Sequence, residues 1–509
     1  MSAPATATAP EAPAESRFDV VRARVGRYAV LPLMALALLA PTGLPADQRA
    51  MLAVLAFVVL LWITETIPIA ATALIGVALL VLLGVGTPDE VFAAFGSNTV
   101  FLVIGAFMLA RAMSAHGLDR RFALRVLSLP GVGDSTYRTA LAFGVVATLL
   151  SVLVSSSATA AMLLPIGVGV VRTVGDLIEE RTPGVSGHRT RFSCMLMLAI
   201  AYGAGVGSVL TPITGIANVI GRGTIEEMTG HRVELFDWLS MSAPYVLVLG
   251  AVMWGALVLV NRPETRRIPG GQERFRAEYA ALGPTGGAER AVIAVFAVTV
   301  ALWILPSLVT TADLTSPALL AFTERLSEGA VVVAAAGLLF FLPDGRGGRV
   351  LTWQEAARID WGTVVLVGVG LTIGRMMSVT GLAETIGAAV AGATDVHSTW
   401  LLCLVAIVLG MAISETTSNT ASVGIVVPIV IPIAVAIGVD PIIPAMAAVF
   451  AGNAGAMLPV STPPNAIVYG SGYVPMVRMI ATGVFCDIVC VPLIFLATFG
   501  IGSAIGLGL

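Results

Sequence analysis

Charge is scarce in this chain, and lysine is missing from it altogether. Only 12% of the 509 residues are charged, and the 28 basic residues are all arginine. Without lysine, the chain has neither the lysine of a nucleotide-binding phosphate loop nor an amine for Schiff-base chemistry. The formal net charge of −3 provides no basic surface for nucleic acid. The composition therefore excludes lysine-dependent chemistry and gives no support for a nucleic-acid partner.

Cysteine and histidine are also rare. The cysteines lie in apolar stretches without the spacing of metal ligands, so we expect buried core residues rather than a zinc site or disulfides. The apolar stretches contain no serine–histidine set, paired aspartates or histidine-rich group, one of which an intramembrane enzyme would need. The sequence therefore predicts a protein that is not an enzyme and has no covalent cofactor. The cysteines are Cys194, Cys403, Cys486 and Cys490.

Hydrophobic residues make up 57% of the chain, and its mean hydropathy is +0.94. Many apolar runs reach the length of about eighteen residues that crosses a bilayer. We therefore expect an all-α polytopic membrane protein, surrounded by the lipid bilayer of the cell (inner) membrane. Residues 1–27 begin with a stretch of Ala, Pro, Thr and Glu that has no apolar core. They are predicted to form a disordered cytoplasmic tail rather than a signal peptide.

Arginines orient the predicted spans, because basic loops stay in the cytoplasm. Four arginines between positions 17 and 27 place the N-terminus inside, and the arginine-rich loop 262–290 lies on the same side. Eleven spans then place the C-terminus outside. The predicted spans are 28–45, 49–65, 67–86, 98–114, 192–221, 241–261, 291–308, 329–343, 361–378, 443–471 and 479–507, with hairpins at 137–171 and 399–437.

Two further apolar runs are interrupted by a polar knot that ends in proline. One knot runs from Ser155 to Pro165 and the other from Ser418 to Pro428, ten positions apart in each case. Polar groups at bilayer depth are costly unless they line an enclosed cavity or bind a ligand. Residues 139–154 span about 24 Å of helix, which is short for a hydrocarbon core of about 30 Å. Each knot therefore predicts the tip of a re-entrant helical hairpin, and a single kinked helix is the alternative.

Two more motifs recur in the same order. Residues 111–118 align with 375–382, and residues 211–218 align with 458–465. The segments that follow 111–118 and the first hairpin are rich in arginine, whereas their counterparts, 383–398 and 438–442, have none. The repeats are therefore expected to be inverted, as is typical of secondary transporters. The predicted organisation is a tail 1–27, a first repeat 28–261 with hairpin 137–171 and broken helix 192–221, a cytoplasmic linker 262–290, and a second repeat 291–509 with hairpin 399–437 and broken helix 443–471.

The second repeat resembles the divalent anion/sodium symporter family, the carriers of dicarboxylates, citrate and sulfate. The resemblance rests on the motifs ETTSNTA at 415–421 and STPPN at 461–465, with support from WITETIP at 62–68. It extends over about residues 28–505. It implies two sodium sites that flank one anion site, formed by the hairpin tips and the unwound segments that follow them. It also implies a homodimer with a transport domain that moves as a rigid elevator.

The resemblance carries specific residues into these sites. The residue types suit the roles, because sodium prefers hard neutral oxygens and a carboxylate needs hydroxyl, amide and backbone donors. The implied anion site consists of Ser155, Ser156, Ser157, Gly215, Ser418, Asn419, Thr420, Thr462 and Pro463. The implied first sodium site consists of Ser151, Ser155, Ser156 and Thr214, and the second of Ser414, Thr417, Asn419 and Ser461.

The first repeat departs from the family pattern at two places. Ser156 stands where the family has the asparagine of Ser-Asn-Thr, and residues 214–218 replace Gly-Thr-Pro-Pro-Asn. The missing amide removes one strong oxygen ligand, so we expect the first sodium site to be weakened, water-assisted or absent. The coupling stoichiometry and the identity of the anion stay open.

These observations predict a secondary active transporter that takes up a C4-dicarboxylate such as succinate, malate or fumarate, with Na⁺ as the coupling ion. One alternative is an exchanger of dicarboxylates or tricarboxylates without full sodium coupling, favoured by the altered first motif. A sulfate carrier is another. An ion channel is a remote alternative, because two discontinuous hairpins around an enclosed site make a poor continuous pore.

Overall fold

The chain folds into α-helices. The computed structural model describes residues 17–41, 43–181, 190–311, 316–323, 325–393 and 398–507, and no β-strand occurs among them. The predicted all-α fold is confirmed. Residues 1–16 of the predicted tail lie outside the described residues, and the first helix begins at Arg17. The prediction of a disordered tail as far as residue 27 is therefore wrong from Arg17 onward.

The first part of the chain, up to residue 261, contains eleven described helices. Most of them are apolar on every side, as expected for helices that contact lipid and other helices. They are α1 Arg17–Leu39, α2 Ala46–Thr64, α3 Ile69–Leu82, α4 Pro88–Phe92, α5 Asn98–Ala115, α6 Leu118–Leu127, α7 Thr136–Ser151, α8 Ser156–Arg181, α9 Arg191–Val209, α10 Ile216–Thr229 and α11 Leu235–Val260.

The remainder of the described chain contains thirteen more helices, and it ends in a π-helical turn followed by a short α-helix. They are α12 Gly271–Ala281, α13 Gly287–Thr311, α14 Pro317–Thr323, α15 Glu328–Leu339, α16 Trp353–Ala356, α17 Trp361–Val379, α18 Leu382–Ala393, α19 Thr399–Thr416, α20 Asn419–Ala436, α21 Ile442–Gly452, α22 Pro463–Gly470, α23 Met476–Phe495 and α24 Gly502–Ala504.

Ten helices of the described chain are long and apolar enough to cross a membrane. The sequence predicted eleven spans. Three of the predicted spans, around 67–86, 329–343 and 443–471, contain apolar helices of only 11 to 14 residues. The integral membrane character of the protein follows from the long apolar helices, whereas the number of spans stays a prediction.

Glycines end α5 and α17 in the same way. Gly117 follows α5 with a φ of 69°, and Gly381 follows α17 with a φ of 70°. Residues with a Cβ rarely adopt this left-handed conformation, so glycine permits the chain to turn directly into α6 and α18. Both glycines belong to the motif that the sequence aligns, at 111–118 and 375–382, and they turn the chain at equivalent points.

Capping boxes precede the same two helices. The backbone N–H of Glu90 donates to Thr87 Oγ1 at 3.4 Å, and that of Glu355 donates to Thr352 Oγ1 at 3.3 Å. Each glutamate in turn accepts a hydrogen bond from the backbone N–H of its threonine, which holds the pKa of Glu90 and of Glu355 below the usual value. The chain therefore approaches α5 and α17 through equivalent turns.

The two predicted hairpins correspond to helix pairs with short connections. Residues 152–155, which we name the first tip, join α7 to α8, and Thr417 and Ser418, the second tip, join α19 to α20. Pro165 and Pro428 are each the tenth residue of the second arm. The first hairpin was predicted to end at residue 171, but α8 continues to Arg181 because its last turns are polar and suit water beyond the membrane.

Arm length alone does not place these hairpins in the membrane. The arm α7 has only 16 residues, whereas α8, α19 and α20 each contain a stretch long enough to cross a bilayer. The length argument for a re-entrant hairpin therefore applies to α7 alone, and the re-entrant position of both pairs stays a prediction.

The predicted linker 262–290 is an ordered part of the fold rather than a flexible loop. It contains α12 and the first turn of α13. The Gln272 side chain accepts a hydrogen bond from Gly133 N at 3.0 Å and donates one to Ser128 O at 2.8 Å, and Phe275 is buried. These contacts join α12 to the turn between α6 and α7, which explains why a charged segment is held in place.

Two hydrophobic clusters form the interior. The larger one unites the hairpins, the broken helices and α11 with α23. The smaller one is centred on α5, α13 and α15. The four cysteines are all buried and unpaired, as the sequence predicted. The smaller cluster groups α5, α13 and α15 and also includes Val154 of the first tip and Ile213, which follows α9.

Candidate ion and substrate site

Two helices are interrupted, one in each part of the chain. Residues 210–215, the first unwound segment, separate α9 from α10, and residues 453–462, the second unwound segment, separate α21 from α22. An asparagine clasps each segment: Asn218 Nδ2 donates to Thr211 O at 2.9 Å, and Asn465 Nδ2 donates to Leu458 O at 3.2 Å. Each amide reaches back seven residues, which matches the alignment of 211–218 with 458–465.

Glu415 anchors the second unwound segment. Its carboxylate accepts hydrogen bonds from the backbone N–H groups of Ala456, Met457 at 2.9 Å and Leu458 at 3.2 Å, and from Ser461 Oγ at 2.8 Å. The Glu415 side chain is buried. Charge-assisted hydrogen bonds of this kind are stronger than neutral ones, so four of them fix the segment against the second tip. In the sequence alignment, Glu415 corresponds to Val152 of the first part of the chain. Val152 has no carboxylate, so it cannot anchor the first unwound segment in this way.

Four oxygen-bearing groups converge next to this anchor. One end of the Asn419 side-chain amide lies 2.8 Å from Ser414 Oγ, 3.1 Å from Ser461 O and 3.2 Å from Gly452 O. With Nδ2 at that end, the amide donates hydrogen bonds to the three oxygens. With Oδ1 at that end, four oxygens face one another, which is the arrangement that a small hard cation requires. Ser414 Oγ also donates to Gly452 O at 2.8 Å.

Gly455 shapes the same cluster. A Cβ at this position would lie 2.7 Å from Ser461 Cβ and 2.9 Å from Ser414 Oγ. Real Cβ atoms do not approach other atoms so closely, so only glycine leaves this space open. No sequence motif points to this residue, because Gly455 lies in the unwound segment and outside both motifs of the resemblance.

The second cluster has the ligand chemistry that a sodium site requires. Its hydroxyl, amide and carbonyl oxygens are hard neutral ligands, and the space beside Gly455 would be filled by any side chain. Ser414, Asn419 and Ser461 are the predicted ligands that the structure brings together. Thr417 is buried, but its Oγ1 donates to Ile413 O at 2.7 Å rather than joining the cluster.

The predicted first sodium set is not brought together in this way. Ser151 Oγ donates to Ala204 O at 2.6 Å, Thr214 Oγ1 pairs with Thr211 Oγ1 at 3.1 Å, and Ser155 Oγ accepts from Ala158 N at 3.3 Å. Within the part of the chain that the structure describes, no hydrogen bond joins Ser151, Ser155, Ser156 and Thr214 to one another. Ser156 offers one hydroxyl where the second part has the amide of Asn419.

The predicted anion-site residues lie at helix starts. Ser418 Oγ accepts from Ala421 N at 3.2 Å, and Thr462 Oγ1 accepts from Asn465 N at 3.2 Å, so both are N-caps. Pro463 is the first residue of α22, and Gly215 caps α10. The starts of helices carry partial positive charge and unpaired N–H groups, which suit a carboxylate. The half-buried residues Ser156, Ser157 and Thr420 lie in the first turns of α8 and α20.

Helices from each part of the chain pack against helices of the other part. The broken-helix segment α10 packs against α20 of the second hairpin, and α22 packs against α8 of the first. Asn453 Nδ2, in the second unwound segment, donates to Asn218 Oδ1 at 2.8 Å. This amide pair connects the two broken helices directly. The arrangement is that of one site with walls from both parts.

A small cavity lies beside the amide pair. Its volume is about 20 Å³, enough for about one water molecule. Tyr202 and Tyr245 line it from the first part of the chain, and Asn453, Thr462 and Asn465 line it from the second. Of the residues predicted for the anion site, Thr462 is the one that borders this cavity. Asn453 was not predicted, because no local motif distinguishes it from other asparagines at helix ends.

Comparison with known proteins identifies close relatives. The family described as the sodium:sulfate symporter transmembrane region matches residues 23–506. The sodium-dependent dicarboxylate transporter SdcS of Staphylococcus aureus strain bovine RF122 / ET3-1 is 32% identical over 477 residues, which cover 92% of this chain and 89% of the relative. The protein of the same name from strain NCTC 8325 / PS 47 has the same identity and coverage.

Two solved structures share the fold. The YdaH transporter of Alcanivorax borkumensis has a TM-score of 0.50 and 15% identity, with 83% of this chain and 89% of that chain covered. MtrF of Neisseria gonorrhoeae has a TM-score of 0.53 and 13% identity, with 92% of this chain and 98% of that chain covered. At these identities the likeness concerns the fold alone.

Proposed function

The chain belongs to the sodium:sulfate symporter transmembrane family, and from that premise we propose that it takes up a C4-dicarboxylate together with sodium. It is a membrane transport protein and not an enzyme. Succinate, malate and fumarate are the substrates of this class. The Staphylococcus aureus relatives carry the name of sodium-dependent dicarboxylate transporters, which supports this class of anion and this coupling ion.

The observation that carries the proposal is the crosswise assembly of the two broken helices. The Asn453–Asn218 amide pair joins the second unwound segment to the first turn of α10. The starts of α8, α10, α20 and α22 lie in the region that the two hairpins and broken helices build together. An anion held there is stabilised by helix starts and hydroxyl donors, without a buried arginine. The second oxygen cluster would hold a sodium ion whose charge offsets the repulsion between two carboxylates.

An elevator motion of a homodimer is part of the proposal. The moving part would contain the two hairpins, the two broken helices, α11 and α23, and the scaffold would contain α5, α13, α15 and α17. The smaller hydrophobic cluster supports the grouping of α5, α13 and α15, whereas the buried residues of α17 belong to the larger cluster. In this scheme the N-terminus lies in the cytoplasm and the C-terminus outside.

Anion exchange is the second candidate, and the first part of the chain favours it. Ser156 replaces the asparagine of the motif, the first sodium set is not brought together, and Val152 replaces the anchor Glu415. A carrier with one intact cation site would couple uptake to fewer sodium ions.

Reconstituted vesicles distinguish the two candidates. We expect succinate uptake that requires an inward sodium gradient and does not need internal dicarboxylate. Uptake that ignores the sodium gradient and is stimulated by internal dicarboxylate would instead establish exchange. Uptake of sulfate or citrate in preference to succinate would contradict the proposed substrate.

Variants of the predicted site test the location of the anion. Asn419→Ala and Thr462→Ala are expected to reduce uptake at least about tenfold, since each removes a donor or cation ligand worth about 1.4 kcal/mol or more. Ser398→Ala is the control, because Ser398 caps α19 at the far end of the hairpin without a side-chain hydrogen bond. Wild-type uptake in both site variants would remove these residues from the site.

A further inference from the structure

A buried carboxyl group of α23 has no role in the site described above. Asp487 is only 8% exposed, and neither of its side-chain oxygens has a hydrogen-bond partner in the described chain. Burying an ionised carboxylate without a partner costs several kcal/mol or more, so such a group is normally paired or neutral. An intramembrane acid in this state points to a function that depends on its charge.

The group that faces Asp487 is another acid. The carboxyl groups of Asp487 and Glu415 are close enough to share a hydrogen bond once a proton lies between them. Gly483, one turn before Asp487 on the same buried face of α23, packs against Ala456 and Met457. Asp487 therefore lies behind the part of the second unwound segment that Glu415 anchors.

Glu415 and Asp487 differ in the donors that they receive. Glu415 accepts hydrogen bonds from three backbone N–H groups and from Ser461. Asp487 receives none of these donors. A single proton shared by the two carboxyls therefore belongs on Asp487, whose oxygens have no other hydrogen-bond partner in the described chain.

The other polar groups around Asp487 do not neutralise it. Tyr202, from α9, donates to backbone carbonyls, and Tyr245, from α11, donates to the thiol of Cys490. Cys486 and Cys490 lie next to Asp487 on α23 itself. The helix α21, which also packs against α23, has no titratable residue.

The nearest cation on the same helix is too far away. Arg478 lies nine positions before Asp487, about 14 Å along the helix axis, and donates to Asn261 Oδ1 at 3.4 Å. Glu415 is thus the charged group that Asp487 faces.

We infer that Asp487 is a proton-binding site, and that its proton, donated toward Glu415, keeps the second unwound segment in the conformation that forms the cation cluster. Loss of this proton to water leaves two like charges side by side in a buried place. The Glu415 hydrogen bonds then weaken, and with them the positions of Ser461 and the neighbouring backbone. The inference concerns the proton alone and holds whichever anion the protein carries.

Infrared spectroscopy of the purified protein shows directly whether the Asp487 carboxyl group is protonated. At neutral pH we expect a carboxylic-acid C=O band in the wild type that shifts in D₂O and is missing from Asp487→Asn. Asp47→Asn, which alters an exposed acid of α2, is the matched control and should keep the band. Identical spectra of the wild type and Asp487→Asn in this region would show that Asp487 is ionised and would overturn the inference. Asp487→Ser, whose hydroxyl also donates to Glu415, serves in the same comparison if the asparagine variant does not fold.

The dependence of transport on pH provides the second readout. Between about pH 7 and about pH 9 a free aliphatic dicarboxylate is fully ionised, so a change in uptake belongs to the protein. We expect wild-type succinate uptake to fall at least about twofold over this range, and Asp487→Asn, which keeps a donor toward Glu415, to lose the fall. The same alkaline fall in both proteins would contradict the role of Asp487. Absence of succinate uptake in every variant would sink the proposed substrate, whereas the infrared result would still decide the proton site.

Discussion

At the scale of single residues, Glu415 shows how one side chain fixes a length of irregular backbone. Residues 453–462 form no helix, so their N–H groups need partners other than the usual helical carbonyls. Glu415 provides them for three consecutive residues and for the Ser461 hydroxyl. Its position between Ser414 and the second tip places the anchor directly beside the cation cluster.

Removal of this charge tests the anchor. In Glu415→Gln the amide keeps the size but loses the charge, and one of its ends donates where an acceptor is needed. We expect a loss of about 2–3 kcal/mol in stability and a clear fall in the thermal unfolding temperature, together with loss of uptake. Glu384→Gln, at an exposed position of α18, is the control. Equal unfolding temperatures of the two variants would show that the four hydrogen bonds contribute little.

Gly455 offers a test of the cation cluster itself. A methyl group in Gly455→Ala would crowd Ser414 Oγ and Ser461 Cβ, so we expect the half-maximal sodium concentration for uptake to rise at least about tenfold. Gly470→Ala is the matched control, because a Cβ at that position of α22 meets nothing within 4 Å. An unchanged sodium dependence in Gly455→Ala would place the cation elsewhere.

The sequence predicted part of this cluster and missed the rest for a physical reason. Asn419 and Ser461 lie within the two motifs and Ser414 directly precedes one of them, and the structure brings the three together. Thr417, from the same motif, bonds its own helix instead. Gly452 contributes its backbone carbonyl. Because every residue has this group, no sequence pattern can predict which carbonyl joins the cluster. Gly455 contributes by having no side chain, which leaves space between Ser414 and Ser461. Only the folded structure shows that this space is needed.

At the scale of helices, the two broken helices depend on one another. Asn218 clasps its own unwound segment through Nδ2 and accepts from Asn453 through Oδ1. Asn453 also donates to Val449 O at 2.8 Å, so each of these amides connects a helix end to a second element. Neither segment is complete without the other part of the chain.

A double-mutant cycle measures this dependence. We expect Asn218→Ala and Asn453→Ala each to lower the thermal unfolding temperature, and the double variant to lose less than the sum, with a coupling of about 1 kcal/mol. Asn465→Ala, combined with Asn453→Ala, is the control cycle, because Asn465 clasps its own segment through Leu458 O. Additive losses in the Asn218–Asn453 cycle would mean that the two broken helices are held independently.

Helix boundaries were predicted well where the signal is local. The predicted span 98–114 matches α5 Asn98–Ala115, whose start is capped by Ser97 Oγ, which accepts from Val100 N at 3.3 Å. The end of α8 and the helix α12 were not predicted. Both segments are rich in charged residues, which a search for apolar spans assigns to loops, although charged residues also form stable polar helices. Docking of α12 depends on Gln272 and Phe275 and on contacts with a distant segment. Such contacts leave no trace in local composition.

At the scale of the whole molecule, the proposed motion requires a boundary that slides. The contact between α10 and α17 is a candidate for it, because small residues face the neighbouring helix: a Cβ at Gly370 would lie 3.1 Å from Ile220 Cγ2, and one at Gly374 would lie 3.3 Å from Thr224 Cγ2. A buried ion pair crosses the same boundary: Arg222 of α10 lies 2.7 Å from Glu328 of α15. An elevator motion would have to separate these partners.

A reversible cross-link tests whether this boundary moves. In a protein whose four native cysteines have been replaced, Thr224→Cys with Gly374→Cys brings two thiols within reach of a disulfide. We expect oxidation to reduce uptake to background and reduction to restore it. Each single cysteine variant is the control. Full uptake by the cross-linked protein would show that α10 and α17 move together and would exclude this boundary.

The central claim is that both parts of the chain enclose one anion beside a sodium ion, and a high-resolution structure in lipid nanodiscs with sodium and succinate tests it most directly. The account predicts density for one dicarboxylate between the first and second tips, in contact with residues of both, and an ion among the oxygens of Ser414, Asn419, Gly452 and Ser461. Dicarboxylate density away from the tips, or contacts with only one part of the chain, would contradict it.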